Sequence, residues 1–435
     1  MDTTSHQHNT HPITLIGIGA DGWDSLTPHA QHTLHTATTI IGAPRQLDLL
    51  PATITAQHIP WGKPLRPSIR PLIRQHAPNN NLAILASGDP WHYGIGHALT
   101  EELTHETHDT GTHYPLTTIP TTSSMALACA RMQWPAETVT IITTVGRDTH
   151  TLNRHLHPNT RILTLIPRGT TIIDLAKHLT NHGYHNAELT LLSDLGTPKE
   201  THTTATATAW TTHHTNLPTL AIAAINTNTP TTNPNPRHPG LVPGLPDETF
   251  TTDGQLTKWE TRAITLAALA PRPHELLWDI GSGTGTIALE WCLTHPTTHA
   301  ISIETRPDRT ANITTNAHNL GVNTTLQTIT GHAPEALHDL PQPNAIFIGG
   351  GATTPQLLET CWNALPPGGR IVANAVTIET ENRLINAHTT WGGELGHIQI
   401  SRAQPIGTYT SWTPARPVTQ WRARKPHLIN EGTTR

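Results

Sequence analysis

Short apolar runs recur along the chain, separated by longer stretches with helical spacing, and they fall into two blocks. In the first block Ile13–Ile18, Leu82–Ala86, Val139–Thr144, Arg161–Ile166, Leu189–Leu192 and Thr219–Ala223 are short and rich in β-branched residues, which predicts strands. Ser25–Thr36, with Pro28 near its start, Ser123–Gln133 and Thr171–Asn181 lie between them and predict helices. This alternation implies an α/β domain with mostly parallel strands. The second block opens with an amphipathic helix at Trp259–Leu269. Strands follow at Glu275–Ile280, Ala300–Ile303, Thr325–Ile329, Ala345–Ile348 and Arg370–Ala375, with helices at Ile287–Leu293, Pro307–Leu320 and Pro355–Asn363 between them. Two late strands, Gly396–Arg402 and Thr408–Trp412, predict an antiparallel hairpin closing a doubly wound, Rossmann-like sheet.

Between the blocks the pattern stops. Residues 226–246 carry Asn-Pro, Thr-Pro and Pro-Gly pairs that break both helix and strand, so they are expected to form a semi-extended linker. The predicted organisation is a disordered tail over 1–12, an α/β domain over 13–225, that linker, and a second α/β domain over 247–435.

Composition narrows the function classes. The formal net charge is −5 and charged residues make up 13% of the chain, which argues against general nucleic-acid affinity. No stretch is long and apolar enough for a membrane span, and the polar, His-rich start has no apolar leader, so a cytoplasmic protein is expected. Only five of the 26 basic residues are Lys, leaving Arg, the better carboxylate binder, as the main cation. Cys129, Cys292 and Cys361 form no CxxC pair. His6-x-His8, His155-x-His157 and His213-His214 lack the helical spacing and extra ligand of a metal site, so no metal is expected. The 12 Trp against two Phe read as core fillers.

The chemistry-bearing signal is Asp279-Ile-Gly-Ser-Gly-Thr-Gly285, where a strand turns into a helix. Its G-x-G-x-G spacing differs from the G-x-G-x-x-G of a pyrophosphate-binding turn and suits S-adenosyl-L-methionine, which has no phosphate to place. Asp279 offers a carboxylate for the cofactor's ammonium group. Glu304, 19 residues after Gly285 at the end of the next strand, is placed to accept both ribose hydroxyl hydrogens. A second signature, Gly17-Ile-Gly19-Ala-Asp-Gly22, also follows a strand. Thr39-Ile-Ile-Gly42 stands where a dinucleotide site would place an acid, which argues against NAD. Ala86-Ser-Gly-Asp-Pro90 forms another loop at a strand end.

These residues resemble a known family. Gly17–Gly22, Gly88–Pro90, Thr121-Thr-Ser-Ser124 and Leu195-Gly-Thr-Pro-Lys-Glu200 are similar to segments of the tetrapyrrole (corrin) methyltransferases. Leu245-Pro-Asp-Glu-Thr-Phe250, Thr257-Lys-Trp-Glu260, Asp279–Gly285, Gly331-His-Ala-Pro-Glu-Ala336, Phe347-Ile-Gly-Gly-Gly351, Asn374-Ala-Val376 and Pro417-Val-Thr-Gln-Trp421 resemble the decarboxylating methyltransferases of the same pathway. The resemblance implies a tetrapyrrole methyltransferase fold followed by a Rossmann-like one. It implies methylation of a ring-contracted tetrapyrrole at C5 by the first domain. The second would methylate C15 and remove the carboxyl group of the ring-C acetate. It further implies one cofactor site at Gly17, Gly19, Gly22, Gly88, Asp89, Pro90 and Ser123. Another falls at Thr257, Asp279, Gly281, Ser282, Gly283, Thr284, Gly285, Glu304, His332 and Ala333. His332 stands where relatives often carry an acid, and a neutral imidazole can accept the adenine amino hydrogen instead. Thr144-Val-Gly-Arg147 lacks a His that relatives place before Gly-Arg. Arg262 and Arg306 lie near the cofactor motifs as either substrate clamps or surface charges, and no catalytic acid or base stands out. An anionic small-molecule substrate and a homo-oligomer are expected. A nucleotide-dependent oxidoreductase, a methyltransferase acting on RNA or protein, and a first domain without cofactor remain as alternatives.

Overall fold

The computed structural model describes residues 12–79, 81–167, 172–210, 221–227 and 240–427. The tail up to His11, most of the expected linker, the His6-x-His8 and His213-His214 pairs, and the expected strand and helix starts at Thr219 and Thr171 lie outside the described residues. The chain divides into two compact units. Unit 1 comprises Met1–Gly146 and Pro158–Pro234, and unit 2 comprises Arg147–His157 and Asn235–Arg435.

Unit 1 contains two five-stranded sheets. The first is built from β1 (Ile13–Ile18), β2 (Thr39–Gly42), β3 (Gln57–Pro60), β4 (Leu82–Ser87) and β5 (Leu116–Ile119), all parallel, in the order β3-β2-β4-β1-β5. Both of its faces are covered, because residues alternate between them. Ile13 and Leu15 pack with Ile84 in one core cluster, whereas Ile16 and Ile18 pack with Ala83 and Leu85 in another. The second sheet holds β6 (Thr140–Thr143), β7 (Arg161–Ile166), β8 (Glu188–Ser193), β9 (Thr201–Thr206) and β10 (Ala221–Asn226), in the order β6-β7-β10-β8-β9. Here the expectation of mostly parallel strands fails, since only β6 and β7 run parallel. The connection from β8 to β9 is the short loop Asp194–Glu200, too short for the crossover that a parallel pair needs. β9 itself escapes sequence detection because its Thr-rich residues are nearly all exposed.

Unit 2 carries β11 (Leu276–Ile280), β12 (His299–Glu304), β13 (Leu326–Thr330), β14 (Ala345–Ile348), β15 (Arg370–Ala375), β16 (Glu394–Ile398), β17 (Ser401–Ile406), β18 (Tyr409–Pro414) and β19 (Val418–Arg424). Seven of these form one sheet in the order β13-β12-β11-β14-β15-β19-β16, with β11 to β15 parallel and β19 antiparallel to both of its neighbours. The order reverses at β11, the point where doubly wound sheets bind ligands. The expected closing hairpin resolves differently. β17 and β18 pair only with each other, and β19 inserts between β15 and β16 to complete the main sheet. The Ile378–Trp391 helix, which the sequence pattern does not single out, packs beside them. The expectation for Trp holds for much of the set: Trp61, Trp134, Trp210, Trp278, Trp291, Trp362 and Trp421 are buried, and Trp362 stacks on Trp391 at 5.3 Å. All three cysteines are buried and free. Among the described residues no helix is long and apolar enough to cross a membrane.

One buried cation organises the entry to unit 2. Arg262, on the Trp259–Leu269 helix, is fully buried, with Nε donating to Glu290 Oε1 at 2.5 Å. Its other nitrogens donate to the carbonyls of Thr257 and Leu245 and to Asp247 Oδ1. Glu290 also accepts the Gly244 and Leu245 N–H groups, at 2.6 and 3.1 Å. Arg262 therefore pins the lead-in segment and is no substrate clamp. Removing one member of such a pair strands the other as an uncompensated charge. Arg262→Ala is expected to lower stability by about 3–5 kcal/mol in denaturant titration. The double change Arg262→Met with Glu290→Leu should cost less than either single truncation.

Candidate active sites

In unit 2 the chain leaves β11 at Ile280 and enters the Thr286–Thr294 helix through the glycine loop. A side chain at Gly281 would place its Cβ 2.7 Å from Gly350 O and 2.8 Å from Gly350 N, so two backbones touch there. Gly283 is different, because a Cβ there would meet nothing closer than Gln255 O at 4.0 Å. The loop is tied down by Ser282 Oγ donating to Asp279 O at 2.6 Å and Thr284 Oγ1 donating to Gln255 O at 2.8 Å. Gly285 packs on Ile313 and borders neither cavity described below.

The loop separates two adjoining cavities. The larger, about 590 Å³, is bordered by Thr257, Gly281, Ser282, Gly283 and Thr284, among others. The second, about 460 Å³, contains Glu304, His332 and Ala333, and Gln255, Gly281, Arg309 and Gly349 border both. The Glu304 carboxylate, at the end of β12, is nearly buried and rigidly held. Oε2 accepts from Gly283 N at 2.8 Å, and Oε1 accepts from Thr305 N at 2.9 Å and Arg306 N at 3.1 Å. Arg306 points elsewhere, into a surface pairing with Asp308 and Asp253.

Asp279 lies behind the loop. It is fully buried and borders neither cavity, with Oδ2 accepting from Ala288 N at 3.2 Å and Oδ1 lacking a partner among the described residues. Burial pushes its carboxyl up to about 7, and the nearby Glu304 charge adds to the rise. The Asp279 carboxyl, expected at the cofactor's ammonium group, here meets the start of the following helix.

In unit 1 the separate glycine motifs converge. A Cβ at Gly17 would fall 2.1 Å from Gly88 O and 2.8 Å from Thr121 N, so only a bare backbone lets the end of β1 meet the loops after β4 and β5. Gly19 and Gly88 border a cavity of about 160 Å³, while Gly17, Gly22, Asp89, Pro90 and Ser123 do not. Asp89 Oδ1 accepts from Trp91 N at 2.9 Å in a local turn, and Ser123 Oγ caps its helix by accepting from Ala126 N at 3.1 Å. Thr144, in the Thr144–Arg147 stretch, donates its hydroxyl to Leu165 O at 2.8 Å.

Several lining residues were not singled out in the sequence, Lys258 entering only within Thr257-Lys-Trp-Glu260. Arg45, His92, Tyr93 and Asp194 border the unit 1 cavity, and Lys258, Arg309, Arg402 and Arg416 border the larger unit 2 cavity. They come from segments far apart in the chain, Arg309 from the Pro307–Leu320 helix and Arg402 from β17, so no local spacing links them. Asn374, on the same wall, donates to Thr265 Oγ1 at 3.1 Å and accepts from Gln420 Nε2 at 2.9 Å. A further cleft of about 410 Å³ at His274, His299 and Thr325 holds none of the expected residues. It lies by the starts of β11, β12 and β13, whereas ligands in such sheets bind at the carboxyl ends. Asp148, His150 and His318 also cluster in unit 2. The Asp148 carboxylate there is already engaged by His150 Nδ1 at 2.7 Å and Asn323 Nδ2 at 2.9 Å.

Two family models match the chain: Tetrapyrrole (Corrin/Porphyrin) Methylases over residues 12–210, and Precorrin methyltransferase domain over residues 248–425. A Sinorhizobium sp protein named Precorrin-6Y C(5,15)-methyltransferase (decarboxylating) is 40% identical over 412 residues, covering 94% of this chain and 95% of that one. A Mycobacterium tuberculosis (strain CDC 1551 / Oshkosh) protein of the same name is 39% identical over 413 residues, covering 95% and 100%. A solved C-terminal domain of precorrin-6Y C5,15-methyltransferase from Rhodobacter capsulatus is 48% identical, with a TM-score of 0.41, covering 43% of this chain and 100% of that one.

The buried carboxyl makes a prediction about pH. In the folded state Asp279 keeps its proton up to about 7, whereas the unfolded chain releases it near the ordinary carboxyl value, about 4. Between those values the native state binds more protons, so this group's contribution to stability falls as pH rises, by about 1.4 kcal/mol per pH unit. The Tm measured from pH 4 to 8 should decline less steeply for Asp279→Asn than for the parent. Parallel profiles would mean that the carboxyl is ionised throughout.

Proposed function

The chain belongs to the family of decarboxylating precorrin-6Y C5,15-methyltransferases, and on that footing we propose that S-adenosylmethionine serves as methyl donor at two separate sites, one in each unit. The enzyme methylates precorrin-6Y at C5 and C15 and decarboxylates it, in the synthesis of cobalamin. We assign C5 to unit 1, and C15 together with loss of the ring-C acetate carboxyl group to unit 2. Neither an oxidoreductase nor a methyltransferase acting on RNA or protein is favoured, because relatives matched over nearly the whole chain are named for precorrin-6Y.

The observation that carries the two-site reading in unit 2 is the glycine loop standing between two adjoining cavities. The residues there suit the donor: Glu304 for the ribose hydroxyls, His332 and Ala333 beside the adenine, and the open backbone at Gly283 for the methionine end. When bound, the donor supplies a methyl group already activated by its sulfonium. The protein's task is then to hold the ring carbon in line and keep the site dry. Glu304, fixed by three backbone N–H groups, sets the depth of the adenosyl end without further reorganisation. Decarboxylation breaks the bond between the acetate CH₂ and its carboxyl carbon. The electron pair passes into the conjugated macrocycle, carbon dioxide leaves, and a proton from water completes the methyl group. A homo-oligomer remains part of this reading, supported by the exposed Ile406, Tyr409 and Trp412 on the β17–β18 ribbon. A monomeric mass in sedimentation would remove it.

Incubation with precorrin-6Y and labelled S-adenosylmethionine should give a product that has gained two methyl groups and lost one carbon dioxide. Gly17→Arg should abolish methylation at C5 alone, and Gly283→Arg should abolish methylation at C15 alone. If Gly17→Arg leaves both methylations intact, unit 1 has no catalytic site.

A further inference from the structure

We propose that Arg416 is the carboxylate anchor for the tetrapyrrole at the unit 2 site. The inference rests on the functional reading above and names the group that positions its substrate.

The wall of the 590 Å³ cavity holds four cations, Lys258, Arg309, Arg402 and Arg416, and no Asp or Glu. That imbalance stands out in a chain whose formal net charge is −5. It is also confined to this side of the glycine loop, because the adjoining cavity has the acid Glu304 beside Arg309. The acid-free side is therefore the one matched to a polyanion. Three of its four cations already have acidic partners. Lys258 Nζ lies 3.1 Å from Asp247, Arg309 Nη2 2.9 Å from Asp253, and Arg402 Nη2 2.5 Å from Glu260. Arg416 has no ion pair among the described residues.

The backbone holds Arg416 in place despite its exposure. Ala415 N–H donates to Ile400 O at 2.8 Å, tying the connector between β18 and β19 to the one between β16 and β17. Pro417 follows and restricts Arg416 to an extended conformation. Val418 then enters β19, opposite Ile398 of β16, and the next residue, Thr419, lies opposite Ala375 of β15. The guanidinium presents a planar donor fork from this held backbone, and a carboxylate accepts that fork with two parallel hydrogen bonds. Val376, Ile398, Ile400 and Val418 border the same cavity and supply apolar surface for the ring face. The cavity therefore provides both contacts that a flat, carboxylate-fringed macrocycle requires.

The test uses the full-length enzyme with precorrin-6Y and S-adenosylmethionine. Arg416→Ala should raise the KM for tetrapyrrole in C15 methylation at least tenfold. The Kd for S-adenosylmethionine, thermal stability and C5 methylation should be unchanged, so a product lacking the C15 methyl accumulates at low substrate. Arg416→Lys should recover part of the loss, and Arg272→Ala, on an exposed surface outside the cavity, should behave as the parent. An unchanged KM in both Arg416→Ala and Arg416→Gln overturns the proposal. So does a higher KM accompanied by weaker donor binding or a lower Tm, since that would mark a structural role. If the parent enzyme itself fails to methylate C15, the functional reading of unit 2 is what falls.

Discussion

Contact between two bare backbones, at Gly281 and Gly350, is the constraint on which the unit 2 site depends. Any Cβ at Gly281 would collide with Gly350 O, Cα and N, all within 2.8 Å. Because the loop after β11 and the loop after β14 touch there, the carboxyl ends of these two neighbouring strands are held in fixed register. The open space at Gly283 and the two cavities on either side follow from that seating. Unit 1 uses the same device with different residues, bringing Gly17, Gly88 and Thr121 into contact. In both units a close approach of main chains, rather than an arrangement of side chains, locates the proposed cofactor site.

Buried charge does a different job. Arg262 and Glu290 bond to each other, and each also bonds to main-chain groups of residues 244–257, which are short of secondary structure of their own. That segment continues into Gly254–Lys258, which borders the larger cavity. An ion pair well behind the cavity thus shapes the wall through the chain it holds. Asp279 completes the contrast: it stands one strand-end away from the loop, yet burial keeps its carboxyl largely protonated up to about 7. Position next to a motif does not make a residue part of the wall.

Much of the fold could be read from the chain because the signals were local. Ile13–Ile18, Arg161–Ile166, Ala345–Ile348 and Arg370–Ala375 are found with the predicted bounds, as are the helices Trp259–Leu269 and Pro307–Leu320. Each is a regular apolar pattern with clear breakers. Most strands that escaped were edge strands or short ones, such as β3 and β9, whose exposed residues carry no alternation. β19 was missed as a strand for another reason. Its place between β15 and β16 is set by pairing on both sides, which no local pattern records.

The sequence alone determined the family-level chemistry: two glycine loops at strand ends, the G-x-G-x-G spacing, and Glu304 at the end of the next strand. These are properties of adjacent residues, where backbone conformation and spacing decide what can bind. Only the tertiary structure decided which residues face the ligand space. It moved Asp279 behind the loop and Arg262 into the core, and it gathered Lys258, Arg309, Arg402 and Arg416 from separate segments around one cavity with no Asp or Glu on its wall. Long-range pairing and packing make that sorting, because a side chain's surroundings depend on strands and helices far from it in the chain.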